Sequence, residues 1–223
     1  MSLPTGRVRS ASAPGTADDD ERPRRSDARQ RRSALLTAVG ELIAERGTEF
    51  PLAEAAERAG ISTATAYRNF SDTGSAVDAY FAELMGDLLD AFDRLPVGDD
   101  PISDIRVLCH EWVAQATRWG AAAVHMRSPR GLLARRNVED PFIGGLYDRL
   151  ARLVETAMTR GRLPQQDVRF AVLMWVTIFD ERVVIDLTGS LGWSEKTAAD
   201  HLTEALLRTF GVPAAVIPRA IFG

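Results

Sequence analysis

A glycine-containing break between two short helical patterns constrains the fold of this chain more than any other feature of its sequence. Pro51 precedes an apolar, alanine-rich run that ends at Gly60, and Ser62 is placed to cap a second short helix, Thr63–Phe70. Glycine suits such a break because it adopts backbone conformations that other residues resist. Two helices joined by a short turn that contains glycine form the helix-turn-helix unit, so the sequence predicts that unit here.

Helical periodicity continues on both sides of this unit, and no alternating strand pattern occurs. A first helix is predicted over Asp27–Arg46, with Gly47 ending it. Ser75 and Asp78 resemble a capping box that opens a long helix, and residues 165–190 are predicted to form one long apolar helix.

The predicted fold class is therefore all-α, in three parts. Residues 1–26 are predicted to be a disordered, arginine-containing arm, because they are rich in small and polar residues without apolar periodicity. Residues 27–74 are predicted to form a three-helix helix-turn-helix domain. Residues 75–223 are predicted to form a larger helical domain.

Basic charge is concentrated just before the first predicted helix, although the whole chain has a formal net charge of -4. Residues 22–32 hold one acid, Asp27, and six arginines: Arg22, Arg24, Arg25, Arg29, Arg31 and Arg32. Phosphate contacts need a local basic patch rather than a basic chain. A solvated tail is the alternative interpretation of this run.

Several classes of protein are disfavoured by what the sequence lacks. No apolar run approaches the roughly 20 residues of a membrane helix, and the first residues carry no signal pattern, which favours a cytoplasmic protein without a membrane partner. Cys109 is the single cysteine and is interpreted as a core residue. The three histidines lie far apart, and no phosphate loop or nucleophile motif occurs, so no metal, cofactor or catalytic residue is predicted.

The outer side of the second short helix carries the side chains that favour DNA binding. Thr63, Thr65, Tyr67, Arg68 and Asn69 supply hydroxyls, one guanidinium and one amide, with no acid among them. Such groups reach phosphates and base edges in the major groove.

The run LAEAAERAGISTATAYRNF (52–70), preceded by ALLTAVGELIAERG (34–47), resembles the DNA-binding domain of the TetR family of transcriptional repressors. The resemblance covers about residues 28–70 and implies a dimeric repressor. It places Tyr67, Asn69 and Thr65 on phosphates, and Thr63 and Ala64 toward bases. Arg68 has either role. Ser62, Arg31 and Arg32 complete the predicted DNA-binding residues.

Two positions depart from the family pattern. Ala66 stands where the family usually has leucine, so the packing beneath the recognition helix is expected to be thinner. Thr73 stands where the family usually has a lysine or arginine on the DNA backbone. One phosphate contact is therefore in doubt, and the arginine-rich arm is a hypothetical substitute for it.

The second half of the chain supplies the predicted ligand pocket and dimer interface. Aromatic and polar groups on otherwise apolar helices are typical of ligand pockets, although each of these residues is equally well explained as core or surface. The pocket candidates are His110, Trp112, Met126, Arg127, Tyr147 and Trp175. The interface candidates, on the two C-terminal apolar helices, are Phe179, Val183, Leu187, Leu202 and Leu206.

The favoured function is a regulator that reads a palindromic double-stranded DNA operator as a homodimer and leaves it when a small organic effector binds. A helical adaptor that binds only protein is the alternative, and the absence of acids on the second short helix disfavours it. An all-helical enzyme is a further alternative, for which no converging titratable groups are evident.

Overall fold

The computed structural model describes residues 21–126, 131–137 and 141–213, and within these ranges the regular structure is entirely helical. The all-α prediction is thereby confirmed. None of the described helices combines the length and apolarity that crossing a bilayer requires.

The N-terminal part contains three helices: α1 (Glu21–Arg46), α2 (Leu52–Arg58) and α3 (Thr63–Asn69). Their shared core is apolar, with Leu35, Val39 and Leu42 of α1 fully buried. Alanines dominate the contact between α2 and α3, so the two helices pack closely. The turn between them is closed by Gly60, whose φ of 66° favours glycine, and by a 3.0 Å hydrogen bond from the Ile61 N–H to the Ala56 carbonyl. The helix-turn-helix prediction is confirmed.

The C-terminal part is larger and has its own core. Its helices are α4 (Thr73–Asp93), α5 (Pro101–Trp119), α6 (Leu132–Asn137), α7 (Pro141–Thr159), α8 (Val168–Ile178), α9 (Glu181–Ile185) and α10 (Glu195–Thr209). A 3-10 segment, Gly120–Met126, follows α5, and a π-helical turn, Asp186–Ser190, follows α9. Aromatic rings fill the core, with Trp112 between Phe92 and Phe179 at centroid distances of 5.8 and 5.7 Å.

Two elements connect the C-terminal part to the N-terminal core. The first is α4, whose Ala76 and Val77 are buried in that core. The second is the 3-10 segment, which contributes Ala122 to it and packs along α1. The helix that begins the C-terminal part and the segment after α5 therefore both contact the helix-turn-helix domain.

Three boundaries differ from the sequence predictions. Helix α1 begins at Glu21, six residues before the predicted start, so residues 21–26 of the predicted disordered arm are helical; residues 1–20 lie outside the described part. Asp72 rather than Ser75 caps α4, and Ser75 is the reciprocal partner in that capping box. The predicted single helix over 165–190 is broken after Ile178, because Asp180 caps a new helix.

Candidate nucleic-acid interface

Helix α3 turns one side toward its own domain and leaves the other exposed. Ala66 and Phe70 are buried, and the small Ala66 side chain brings α3 close to α2. Tyr67 is 53% exposed although it is aromatic. The other exposed residues of this segment are Ser62, Thr63, Ala64 and Arg68, while Thr65 and Asn69 are half-buried. All seven helix and cap positions predicted to bind DNA thus lie at least partly at the surface.

A chain of short hydrogen bonds orders the exposed side of α3. Ser62 caps the helix by accepting the Thr65 N–H at 3.2 Å, and the two hydroxyls lie 2.8 Å apart. The Arg68 guanidinium donates to the Thr65 hydroxyl at 2.9 Å, and the Asn69 amide donates to the Thr65 carbonyl at 2.8 Å. The polar groups of the helix are therefore held in place before any ligand arrives, which lowers the entropic cost of binding.

Helix α1 brings arginines to the end of α3. The Arg32 guanidinium lies over the Phe70 ring, 4.6 Å from its centroid, in a cation–π arrangement. Arg29, one turn earlier, and Arg31 are exposed. Within the described residues neither of these two guanidiniums is held by an acid, so their charge is free to interact with phosphates. Sequence reasoning predicted Arg31 and Arg32 for this role but not Arg29.

Two other arginines of the domain are already paired with acids. Arg58 of α2 donates to both oxygens of Glu45 on α1, at 2.6 and 2.9 Å, and Arg46 pairs with Glu54. The hydrogen bond from Arg58 lowers the pKa of Glu45 below its ordinary value. These two pairs attach α2 to α1, so Arg46 and Arg58 have structural partners, whereas Arg29 and Arg31 have no acidic partner among the described residues.

Thr73 has a structural role at the position where the resemblance implies a basic residue. Its hydroxyl donates to the Phe50 carbonyl at 3.0 Å, linking the start of α4 to the loop before α2. Asp72 beside it accepts the Ser75 N–H at 2.7 Å, and this hydrogen bond lowers the pKa of Asp72. The sequence places no cation here, and Thr73 instead fixes α4 to the helix-turn-helix domain.

The predicted pocket residues lie at separate places. Trp112 and Trp175 are buried in the C-terminal core. His110 lines a surface cleft between α5 and α10, where its Nε2 lies 3.0 Å from the Asp200 carboxylate. Tyr147 lies under the Arg136 guanidinium at 4.0 Å and lines a different cleft. Arg127 and the Met126 side chain lie outside the described residues.

The predicted interface residues divide into exposed and buried members. Val183 is 39% exposed and Leu187 is half-buried, so both are accessible to a partner. Phe179 and Leu206 have no exposed surface, and Leu202 is nearly covered. The assignment of Phe179 and Leu206 to direct interface contacts is therefore corrected: Phe179 packs on Trp112, and both belong to the C-terminal core.

Solved structures of bacterial regulators share this architecture. A regulatory protein in the TetR family from Rhodococcus RHA1 matches with a TM-score of 0.67 at 17% identity, over 82% of this chain and 98% of that chain. FadR from Bacillus subtilis, in complex with stearoyl-CoA, gives 0.66 at 19% identity, over 78% and 96%. RolR in complex with resorcinol gives 0.57 at 24% identity, over 85% and 92%.

No protein-family model and no curated protein matches the chain. The structural matches nevertheless extend over nearly the full length of each of those regulators. The chain therefore has the TetR-type fold, in which a helix-turn-helix domain is followed by a larger helical domain.

Proposed function

We propose that this chain is a TetR-type transcriptional regulator that binds a palindromic DNA operator as a homodimer and represses transcription. The observation that carries the proposal is the exposed side of α3, which presents Tyr67, Arg68 and the hydroxyls of Ser62 and Thr63 without one acid. An acid-free helix in a helix-turn-helix unit fits the negative potential of the major groove. We place the protein's action where the DNA is, in the cytoplasm, and assign it no catalytic activity.

In this proposal α3 lies in the major groove. Tyr67, Asn69 and Thr65 contact phosphates and fix the position of the helix, while Thr63 and Ala64 at its start meet base edges. Arg68 is held by Thr65 close to the same surface. The unpaired arginines of α1 add phosphate contacts beside α3, which offsets the missing cation at position 73.

The second protomer is proposed to pack on the outer side of α8, α9 and the loop that follows. The apolar side chains there that are exposed or half-buried include Phe170, Val183, Leu187 and Leu191. Apolar surface of this kind marks interaction sites in soluble proteins. A two-fold dimer places two recognition helices about one turn of DNA apart, roughly 34–36 Å or a multiple of it.

A small organic molecule bound in the C-terminal domain is proposed to release the DNA. FadR and RolR were solved with stearoyl-CoA and resorcinol, so structures of this fold accommodate organic ligands of different size. Helix α4 connects such a site to the DNA-binding domain, because its first turns are buried in the N-terminal core and its last turn contacts the C-terminal core. For release to occur, the ligand must bind better to the conformation that does not fit DNA.

Selection of bound duplexes from random double-stranded DNA tests the proposal. We expect one enriched sequence with two-fold symmetry, and affinity for it that falls steeply as salt rises, because phosphate contacts release counterions. Weak binding without any enriched sequence would contradict the proposal and favour the protein-binding adaptor. Enrichment of a single half-site without symmetry would contradict the homodimer alone.

A further inference from the structure

A cavity of about 280 Å³ lies at the end of the C-terminal domain, where the last turn of α4 meets α5, α7 and the loop between α4 and α5. Its wall is largely apolar and includes Phe92, Leu108 and Leu153. Pockets that hold drug-sized ligands measure about 300–1,000 Å³. At about 280 Å³ the cavity lies just below this range, which suits a ligand smaller than drug size with an apolar body.

Four charged side chains line this cavity, and three of them are engaged within the protein. The Arg149 guanidinium donates to the Asp93 carboxylate through Nε, at 2.9 Å, and through Nη2. This pairing lowers the pKa of that carboxyl. Asp104 lies in the first turn of α5, where the helix dipole stabilises an acid, and accepts the Gly98 N–H at 2.8 Å.

Arg152 is the fourth charged side chain, and it is exposed at the rim. Within the described residues its guanidinium has neither a hydrogen-bond acceptor nor an ion-pair partner. The two arginines and two aspartates of the lining balance in formal charge, and Arg152 is the one of the four whose hydrogen-bond donors are unused. A planar guanidinium with five donors is suited to a carboxylate, which accepts two of its hydrogen bonds at once.

We infer that this cavity binds a small organic anion, namely a monocarboxylate whose apolar body lies against Phe92 and Leu108 and whose carboxylate pairs with Arg152. The cavity and its charged residues support the binding site itself. The role of this anion as the effector rests on the proposed function. The position of the site supports an effector role, because Phe92 belongs to α4, and Tyr80 near the other end of α4 packs on α1.

Calorimetric titration of the DNA-free protein tests the site. The probes are phenylacetate and octanoate, each compared with its neutral primary amide. We expect both acids to bind up to about five-fold more tightly than the amides, since the exposed Arg152 guanidinium attracts the carboxylate and not the neutral amide. Arg152→Gln is expected to abolish this preference, and Arg152→Lys to restore part of it.

Arg118→Gln is the matched control, because Arg118 is an exposed arginine on α5 that lies outside the cavity and pairs with Glu111. This variant is expected to bind the acids like the wild type. Equal affinity for acids and amides, an unchanged preference in Arg152→Gln, or no binding of either acid overturns the inference. Because no DNA is present, such a failure is distinct from failure of the operator selection, which tests the regulator itself.

Discussion

Thr65 shows how a single residue can order the exposed side of α3. Its hydroxyl lies within hydrogen-bond distance of the Ser62 cap on one side and accepts from Arg68 on the other. The cap stabilises the start of the helix, and the same hydroxyl restrains a long, flexible guanidinium. Thr65 therefore combines a structural task with its predicted phosphate contact, which the sequence pattern alone does not reveal.

Gly40 marks the closest approach between α1 and α4. A Cβ built on Gly40 would lie 2.5 Å from the Tyr80 ring, and Tyr80 is half-buried there, with its pKa raised by burial. Because α4 connects the two parts of the molecule, this contact lies on the route by which a ligand would act on α1. Glycine is thus required at position 40 by packing against Tyr80 rather than by its backbone conformation.

Replacing Gly40 by alanine is expected to lower the free energy of unfolding by about 1 kcal/mol. Overpacking costs about 1–3 kcal/mol, which exceeds the gain of about 1 kcal/mol from removing a glycine within a helix. Urea denaturation measures the difference. Gly86→Ala is the control, because Gly86 lies within α4 and an added Cβ meets nothing within 4 Å, so stability should rise. A stabilising Gly40→Ala substitution would show that Tyr80 moves aside without cost.

At the scale of elements, apolar periodicity located most helices but not their boundaries. The run over 165–190 is apolar on nearly all sides and predicts one helix, yet Asp180 accepts the Arg182 N–H at 2.9 Å and starts a new one. A side chain that bonds to the backbone two residues ahead competes with helix continuation, and that competition is invisible in a hydrophobic pattern. For the same reason the sequence pattern predicted Ser75 as the cap of α4, whereas the structure has Asp72 at that position.

Helix α8 depends on a similar aspartate cap, and this gives a pH-dependent prediction. Hydrogen bonds from the Arg169 side chain and from the Arg169 and Phe170 N–H groups lower the pKa of Asp167 to about 2, against 3.8 ordinarily. A lowered pKa means that the charged cap stabilises the fold fully above about pH 5, and that this contribution is lost as the pH falls toward 2.

Asp167→Asn is therefore expected to be less stable than the wild type at pH 7, with the difference constant down to about pH 5 and shrinking toward pH 2. Asparagine is also a good cap, so the comparison isolates the charge. Urea midpoints across this pH range provide the measurement. A difference that persists at pH 2 would mean that the charge of Asp167 is not what stabilises α8.

At the scale of the whole molecule, the sequence predicted the helix-turn-helix part far better than the larger C-terminal part. The glycine turn and the acid-free helix define the first through local chemistry, and residues 52–70 fold as predicted. Pocket and interface residues depend on which helix faces which, and helical spacing does not contain that information. Trp112 and Trp175 illustrate this, since both have the chemistry of a pocket residue and both lie in the core.

The connection between the two halves is the property that only the folded molecule reveals. Helix α4 and the 3-10 segment both enter the N-terminal core, and each is continuous in sequence with α5 of the C-terminal part. Because α4 and the 3-10 segment contact the small N-terminal domain at separate points, a movement of both is suited to rotate that domain as a unit. In the proposed dimer such a change alters the separation of the two α3 helices, and with it the fit to successive grooves.

The central claim is that the exposed side of α3 binds DNA, and one measurement tests it directly. The enriched duplex is titrated by fluorescence anisotropy at several salt concentrations with the wild type, Arg68→Ala and Arg118→Gln. We predict weaker binding by Arg68→Ala and a salt dependence shallower by about 1 for each protomer, with Arg118→Gln unchanged. Equal affinities and equal salt slopes for all three proteins would contradict the account.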